Sequence, residues 1–427
     1  MAVPSCALFA GVCAATLAAQ QPKEELEDRI QHALAEARSA LLVHLRSATE
    51  AVGAPGELAL LVLAALHDGV RDDDKTFAKA RRRLADAKPE ATYDLALRLL
   101  VLEADATFPG RDKLAAGDTR QLLQNAKAGA FFYMPNPTAW DLSNSQYGAL
   151  GLRAAVALGQ DVPHRVWSAL ADTAMEAQRP DGGFVYRATD DPRSGYLSMT
   201  TAGIAVLKIC EQALTKPGRT IPEIDKRVAK AWKWLDKHAT EIGKSEIPWS
   251  YYAHYGLERA AILSDVQTIG GVDWYRAGAK MFVDQQLGNG GWSSPTDRML
   301  GHGAGAGVAA GNGSPVSTAF AILFLRRKFQ KLPTPITGIS VPFLGMLTAE
   351  TPDKDVTACG QALAARGKDA LLEILNALRN DLPTRRRAAA IALHGLAGQD
   401  FGFDPLLDEA GNRSAIHRAE LWYLKNK

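Results

Sequence analysis

The chain has 427 residues, of which 47% are hydrophobic and 22% are charged, and its formal net charge is +2 at pH 7. These proportions are typical of a globular protein that buries a large core. The small net charge, without a basic stripe interleaved with aromatic residues, argues against nucleic-acid binding.

The N-terminus has the pattern of an export signal. Residues 7–19 are small and apolar and end in Leu-Ala-Ala, which resembles a signal-peptidase site, although no Lys or Arg precedes them. The run is too short to cross a bilayer as a helix. We therefore predict a signal peptide over residues 1–19 and a periplasmic or secreted protein. Cleavage would leave Cys210 and Cys359, which predict two buried thiols and no disulfide framework.

Two kinds of helical segment then alternate along the chain. Six segments are apolar on nearly all faces, as in helices that are buried on all sides: 57–67, 91–104, 146–158, 199–214, 252–263 and 317–329. Six amphipathic segments precede them in turn: 25–45, 75–87, 118–126, 164–177, 224–238 and 274–286. The alternation predicts an all-α fold of six hairpins, with an inner and an outer ring of helices, which is an (α/α)6 toroid over residues 20–331.

Two of the amphipathic segments end in Gln, a Gly-rich turn and an aromatic residue. The residues concerned are Gln178, Gly183 and Phe184 in the first and Gln285, Gly291 and Trp292 in the second. Glycine permits the reversal, Gln can reach unpaired groups at a helix end, and the aromatic ring packs across hairpins. Both segments resemble the QW element of cyclases. The repeat organisation as a whole resembles the terpenoid cyclase and protein prenyltransferase family, including the squalene-oxidase repeat proteins of bacteria.

The residues that carry chemistry in that family are missing. Where a protonating cyclase has its Asp-x-Asp-Asp-Thr-Ala motif, this chain has Ser314, Val316 and Ser317. A cyclase needs a strong carboxylic acid at that position. A prenyltransferase needs a zinc site of Asp, Cys and His, and the two remaining cysteines have no His near them in sequence. The resemblance therefore implies a non-cyclase branch of the family, and we expect no metal and no cofactor.

The resemblance implies that ligands meet the N-terminal ends of the inner helices, which are polar and aromatic here. The predicted ligand-binding residues are Trp140, Tyr147, Tyr196, Trp249, Tyr251 and Tyr252. Converging helix N-termini favour an anionic group, and aromatic rings among hydroxyl and amide groups suit a polar ligand such as a polysaccharide. Helix capping and packing are the alternative interpretation of the same residues. We predict binding of a polar or acidic ligand, or a scaffold role.

Two enzymatic alternatives stay open. Polysaccharide lyases use the same toroid, and Asn144, His254 and Tyr255 are residue types that could neutralise a uronate carboxylate, abstract its proton and protonate the leaving oxygen. A divergent cyclase could use Asp141 as its acid. Neither alternative rests on a motif.

The chain changes character after residue 331. A Leu-Pro-Thr-Pro sequence opens a predicted linker over residues 332–356. Residues 357–427 contain short Ala- and Leu-rich helices that resemble HEAT repeats, and we expect this tail to dock on the toroid or to bind a protein partner. The Gly-rich segment 301–313 predicts either a lid over the toroid or an insertion without structure.

Overall fold

The computed structural model describes residues 7–51, 55–70, 73–126, 129–187, 189, 195–215, 219–294, 313–327, 344, 347–365 and 367–426, with side chains from Glu25 onward. Helices dominate this part of the chain. The only sheet within it is a short antiparallel hairpin of β1 (Thr268–Ile269) and β2 (Val272–Asp273). The predicted all-α class is confirmed.

The helices, in chain order, are α1 (Ala7–Glu50), α2 (Pro55–Asp68), α3 (Lys75–Ala85), α4 (Thr92–Ala104), α5 (Arg111–Asn125), α6 (Leu142–Ala157), α7 (His164–Glu176), α8 (Leu197–Leu214), α9 (Pro222–Lys237), α10 (Ser250–Ser264), α11 (Trp274–Asp284), α12 (Pro315–Arg326), α13 (Asp353–Ala365), α14 (Leu371–Ala377), α15 (Pro383–Ala397) and α16 (Glu409–Asn426). From α2 to α12 the even-numbered helices are buried along most of their length, whereas the odd-numbered ones keep an exposed face. The predicted alternation of buried and amphipathic helices is confirmed.

The buried helices contact one another in a closed cycle. Each of α2, α4, α6, α8 and α10 packs against the next even-numbered helix, and α12 packs back against α2. Close approach depends on small residues: a Cβ on Gly151 of α6 would lie 2.8 Å from the Cα of Ala96 on α4. A single hydrophobic core extends through α1 to α12.

A buried ion cluster joins the first and last helices of this cycle. The side chain of Asp68, at the end of α2, is fully buried. Its Oδ2 accepts a hydrogen bond from Arg38 Nε on α1 (2.8 Å), and its Oδ1 accepts from Arg326 Nη2 on α12 (2.5 Å). One carboxylate therefore joins the consecutive helices α1 and α2 to α12, which is distant in sequence.

Several helices begin earlier than the hydrophobic pattern predicts, and in α6 and α12 a polar cap starts the helix. Helix α6 begins at Leu142 after the cap Asp141, whose carboxylate accepts from the Asn144 N–H, and α12 begins at Pro315 after the cap Ser314. Helix α5 begins at Arg111, seven residues before its predicted start. The added turn of α6 carries Ser143 and Asn144.

The tail has a hydrophobic core of its own, formed by α13 to α16 and the residues between them. Helix α13 begins at Asp353, inside the predicted linker; most of that linker and nearly all of the Gly-rich segment lie outside the described residues. Cys210 and Cys359 are buried free thiols, as predicted. None of the helices in the described ranges combines the length and hydropathy needed to cross a bilayer.

Candidate functional site

The turn after α7 has the structure predicted for a QW-like element. Gln178 Nε2 donates to the carbonyl of Gly182 (3.0 Å) and to that of Arg227 on α9 (2.9 Å), so its amide links neighbouring hairpins. The backbone N–H of Phe184 donates to Thr200 Oγ1 on α8 (3.0 Å), and the phenyl ring is fully buried. The turn therefore fixes an amphipathic helix to the buried helix that follows it.

The turn after α11 repeats this arrangement, but Gln286 rather than the predicted Gln285 is its key residue. Gln286 Nε2 donates to the carbonyls of Gly290 (2.9 Å) and of Ala33 on α1 (2.8 Å). Gln285 is only the C-terminal cap of α11. The reason is register: Gln286 precedes Trp292 by six residues, as Gln178 precedes Phe184.

A third turn of the same kind, before α6, was not predicted. The N–H of Phe131 donates to Ser145 Oγ on α6 (3.1 Å), and Gly129, two residues earlier, has φ +76°. Asn125 takes the place of Gln and donates to the carbonyl of Glu90 (2.9 Å). The signal in the sequence was the spacing of Asn, Gly and Phe, which a search for Gln alone misses.

The positions aligned with the cyclase acid have structural roles. Ser314 Oγ caps α12 by accepting from the Ser317 N–H (3.3 Å), and Ser317 Oγ accepts from the N–H of Ser294 (3.2 Å). Val316 offers no polar group, and residues 313–326 contain neither Asp nor Glu. The start of α12 therefore supplies no proton donor of the kind that a cyclase requires.

The interior of the helix cycle is occupied by aromatic and polar side chains from four buried helices. This interior cluster consists of Tyr93, Ser143, Gln146, Tyr147, Tyr252, Tyr255, Arg259 and Phe320. Both α6 and α10 pack against α8, which stands between them in the cycle. Contacts between side chains of α6 and α10 therefore cross the interior.

A chain of hydrogen bonds runs through the interior cluster. Tyr93 OH lies 2.5 Å from Ser143 Oγ, which in turn lies 2.9 Å from Tyr252 OH. Tyr252 OH donates to Gln146 Oε1 (2.9 Å). Burial raises the pKa of the Tyr93 and Tyr252 phenols, so they remain protonated near neutral pH. The chain leads from α4 across the interior to a fully buried amide on α6.

A buried arginine lies beside this chain. Arg259 is 1% exposed, and its guanidinium carbon stands 3.9 Å from the centre of the Tyr255 ring and 5.5 Å from that of Tyr147. The phenols of Tyr147 and Tyr255 interact with its charge, but its Nε, Nη1 and Nη2 make no hydrogen bond of normal geometry. Among the described residues no carboxylate pairs with it. Tyr252, Tyr255 and Arg259 share one face of α10 at spacings of three and four residues, a sequence signal that the prediction missed.

Three other buried polar atoms near the helix starts have no hydrogen-bond partner among the described residues. They are Asn144 Oδ1 and Gln146 Nε2 on α6 and Ser198 Oγ on α8. An unpaired buried polar group costs free energy. Two neighbouring helices therefore each begin with a polar group that a hydrogen bond would stabilise.

Asp141 and Asn144 act on each other rather than on the interior cluster. Asp141 is fully buried, and its two oxygens accept from the backbone N–H (2.8 Å) and the side-chain Nδ2 (2.9 Å) of Asn144. Burial raises the pKa of Asp141, and the bonds from Asn144 and Tyr186 oppose this shift. The carboxylate is a helix cap, which leaves the cyclase hypothesis for Asp141 without geometric support.

The three lyase candidates are not brought together. His254 packs against Phe282 and Phe324, on a different face of α10 from Tyr255. Its Nδ1 lies 2.7 Å from the Ser250 carbonyl, and its Nε2 accepts from the backbone N–H of Gly243 (2.9 Å). Both ring nitrogens are thus engaged by the backbone, and burial raises the pKa of the Tyr255 phenol. Neither side chain has the environment of a general base.

The buried His254 predicts acid sensitivity. Burial lowers its pKa from 6.5 to about 4. The unfolded chain therefore binds a proton between these values while the folded chain does not, so the free energy of unfolding falls as the pH drops from 6.5 to about 4, by about 3 kcal/mol. We expect urea unfolding near pH 7 and near pH 4.5 to show this loss in the native protein but not in H254Q. An equal loss in both proteins would assign the acid sensitivity to other groups.

The aromatic residues that were predicted to bind a ligand lie in different parts of the structure. Tyr147 and Tyr252 belong to the interior cluster, whereas Tyr251 packs edge-on against Phe282 of α11. Tyr196 and Trp249 are partly exposed at the starts of α8 and α10, with ring centres 6.3 Å apart. Trp249 has φ +51°, which is strained for a bulky residue. Trp140 is likewise partly exposed, before α6.

No group of His, Cys, Asp and Glu in the described part of the chain has the arrangement of a metal site. No protein-family model matches the chain, and no curated protein matches it either.

Proposed function

We propose that the chain is an (α/α)6 toroid of the terpenoid cyclase and prenyltransferase type that lacks cyclase activity and binds a polar ligand inside its ring. The observation that carries the proposal is the hydrogen-bonded chain from Tyr93 through Ser143 and Tyr252 to Gln146. The closed cycle of buried helices and the three Gly-aromatic turns support the toroid.

The polar interior favours ligand binding over a purely structural role. A scaffold needs only a filled core, and apolar side chains fill a core without the cost of burying hydroxyl and amide groups. Here α4, α6 and α10 contribute such groups, and Gln146 Nε2 has no hydrogen-bond partner among the described residues. A ligand with several hydroxyl groups, such as a saccharide, would satisfy them while its apolar face packs on tyrosine rings.

Calorimetry with neutral and acidic disaccharides tests this function. We expect at least one of them to bind the native protein and to bind Y252F about 10-fold more weakly, because one buried hydrogen bond is lost. The matched control is Y275F, since Tyr275 OH donates to the Leu325 carbonyl, away from the interior cluster. Squalene should yield no cyclic product. An absence of binding to any disaccharide, or equal losses in Y252F and Y275F, would refute the proposed function.

Two further predictions stay proposals. Residues 1–19 would be removed on export, which N-terminal sequencing of the mature protein tests. The tail would bind a protein partner; it exposes Leu406, Leu407, Leu421 and Leu424.

A further inference from the structure

We propose that Arg259 binds an anionic group of the ligand, so that the interior cluster selects an acid over its neutral counterpart. This inference rests on the proposed function and narrows it to carboxylate- or phosphate-bearing ligands. The sequence alone pointed to an acidic ligand only through helix N-termini; the structure assigns the charge to a particular side chain.

The first argument is the state of the guanidinium group. Arg259 is 1% exposed, and three of its nitrogens make no hydrogen bond of normal geometry. A buried charge is normally paired, because removing it from water is costly. The buried Arg98 follows that rule: it makes two hydrogen bonds to Asp118, at 2.6 and 2.7 Å. By contrast, among the described residues only the faces and hydroxyls of phenols balance the charge of Arg259.

The second argument is the setting of the guanidinium group. The rings of Tyr255 and Tyr147 approach its carbon at 3.9 and 5.5 Å and hold the group by cation–π contact. Among the described residues, Nε, Nη1 and Nη2 at the edge of the planar fork make no hydrogen bond of normal geometry. A carboxylate or phosphate oxygen pair matches that edge, since Arg binds both groups in a bidentate manner.

The third argument is the position of the hydroxyl chain. On the same face of α10, Tyr255 lies about one helical turn and Tyr252 about two turns before Arg259. The Tyr252 hydroxyl bonds to Ser143 and Gln146 of α6. Tyr147 of α6 stacks towards Tyr252, with ring centres 6.4 Å apart. The cation and the hydroxyl groups therefore belong to one cluster, where an acid with a hydroxylated body, such as a sugar acid, would meet both.

The inference predicts opposite effects on stability and on binding. R259M replaces an unpaired buried cation with an apolar side chain of similar length, so the melting temperature of the unliganded protein should rise by a few degrees. The same change should remove the preference for an acid. If Arg259 were only a structural cation on tyrosine rings, R259M would lower the melting temperature and leave the preference unchanged.

The experiment compares glucose, glucuronate and glucose 1-phosphate in calorimetric titrations of native protein, R259M and R259K. We expect one or both acids to bind the native protein at least about 10-fold more tightly than glucose, R259M to lose this ratio while still binding glucose, and R259K to keep part of it. The two acids distinguish a carboxylate from a phosphate ligand. R259K keeps a cation, so the test stands even if R259M fails to fold.

The outcomes separate the two proposals. Binding of glucose without any preference for an acid, or an acid preference that survives in R259M, would overturn the inference and leave the proposed function intact. No binding of any of the three sugars, together with no binding of the disaccharides, would overturn both.

Discussion

Replacing Asp68 by Ala is expected to lower the free energy of unfolding by about 2–4 kcal/mol. The carboxylate is fully buried between Arg38 and Arg326. Without it, the end of α12 loses its charged contact with α2, and Arg326 is left partly buried without a counterion. The arginines are 47% and 22% exposed, so water can solvate them in part, which keeps the estimate below that for a fully buried pair.

The matched control is D284A. Asp284 on α11 also joins the two ends of the helix cycle, through Arg29 of α1 at 2.6 Å, but both of its partners are well exposed. An exposed pair contributes at most about 1 kcal/mol. Urea unfolding measures the two losses, and hydrogen exchange should show faster opening of α1 and α12 in D68A. Equal losses in D68A and D284A would mean that the buried carboxylate does not hold the cycle closed.

Much of this fold can be predicted from the sequence because the hydrophobic pattern within each segment is enough to identify its helix. A helix that is apolar on every face has nowhere to lie but the interior, so the segments 91–104 and 199–214 predict α4 and α8 almost to the residue. The starts of α6 and α12 are missed for an equally local reason. Their first turns are polar, and hydrophobic periodicity does not register the caps Asp141 and Ser314.

The site is harder to predict than the fold, because its contacts join residues that are far apart in sequence. Tyr252 bonds to Ser143, 109 residues away, and Asp68 pairs with Arg326, 258 residues away. No spacing rule connects such positions. Composition at the helix starts selects Tyr147 and Tyr252, which lie in the interior cluster, but it equally selects Tyr251, which packs against the outer helix α11.

Arg259 shows a different limitation. It lies more than two turns after the start of α10. The predicted ligand-binding residues, in contrast, were chosen at the N-terminal ends of the helices. The face that it shares with Tyr252 and Tyr255 is visible in the sequence, but whether an arginine on such a face is paired depends on which side chains the neighbouring helices bring to it. That information exists only in the packed molecule.

Gly290→Ala is the second substitution with a large expected effect, and it tests how the last turn packs on the first helix. Gly290 has φ +83°, a left-handed conformation that costs a residue with a Cβ about 1–2 kcal/mol. An added Cβ would also lie 2.4 Å from the carbonyl oxygen of Glu36 on α1. Backbone cannot yield as a side chain does, so overpacking adds about 1–3 kcal/mol. We expect a total loss of about 2–5 kcal/mol in the free energy of unfolding.

Gly288→Ala provides the control within the same turn, because a Cβ on Gly288 would meet nothing within 4 Å. It should change stability by no more than about 0.5 kcal/mol. Gly182→Ala tests the equivalent turn, where the Cβ would lie 2.5 Å from the Lys230 carbonyl oxygen, and should resemble Gly290→Ala. If these two turns stabilise the fold to the same extent, Gly290→Ala and Gly182→Ala will lower the melting temperature by similar amounts. A tolerated Gly290→Ala beside a damaging Gly182→Ala would mean instead that the backbone at the junction between α1 and the last turn can shift to accommodate a Cβ.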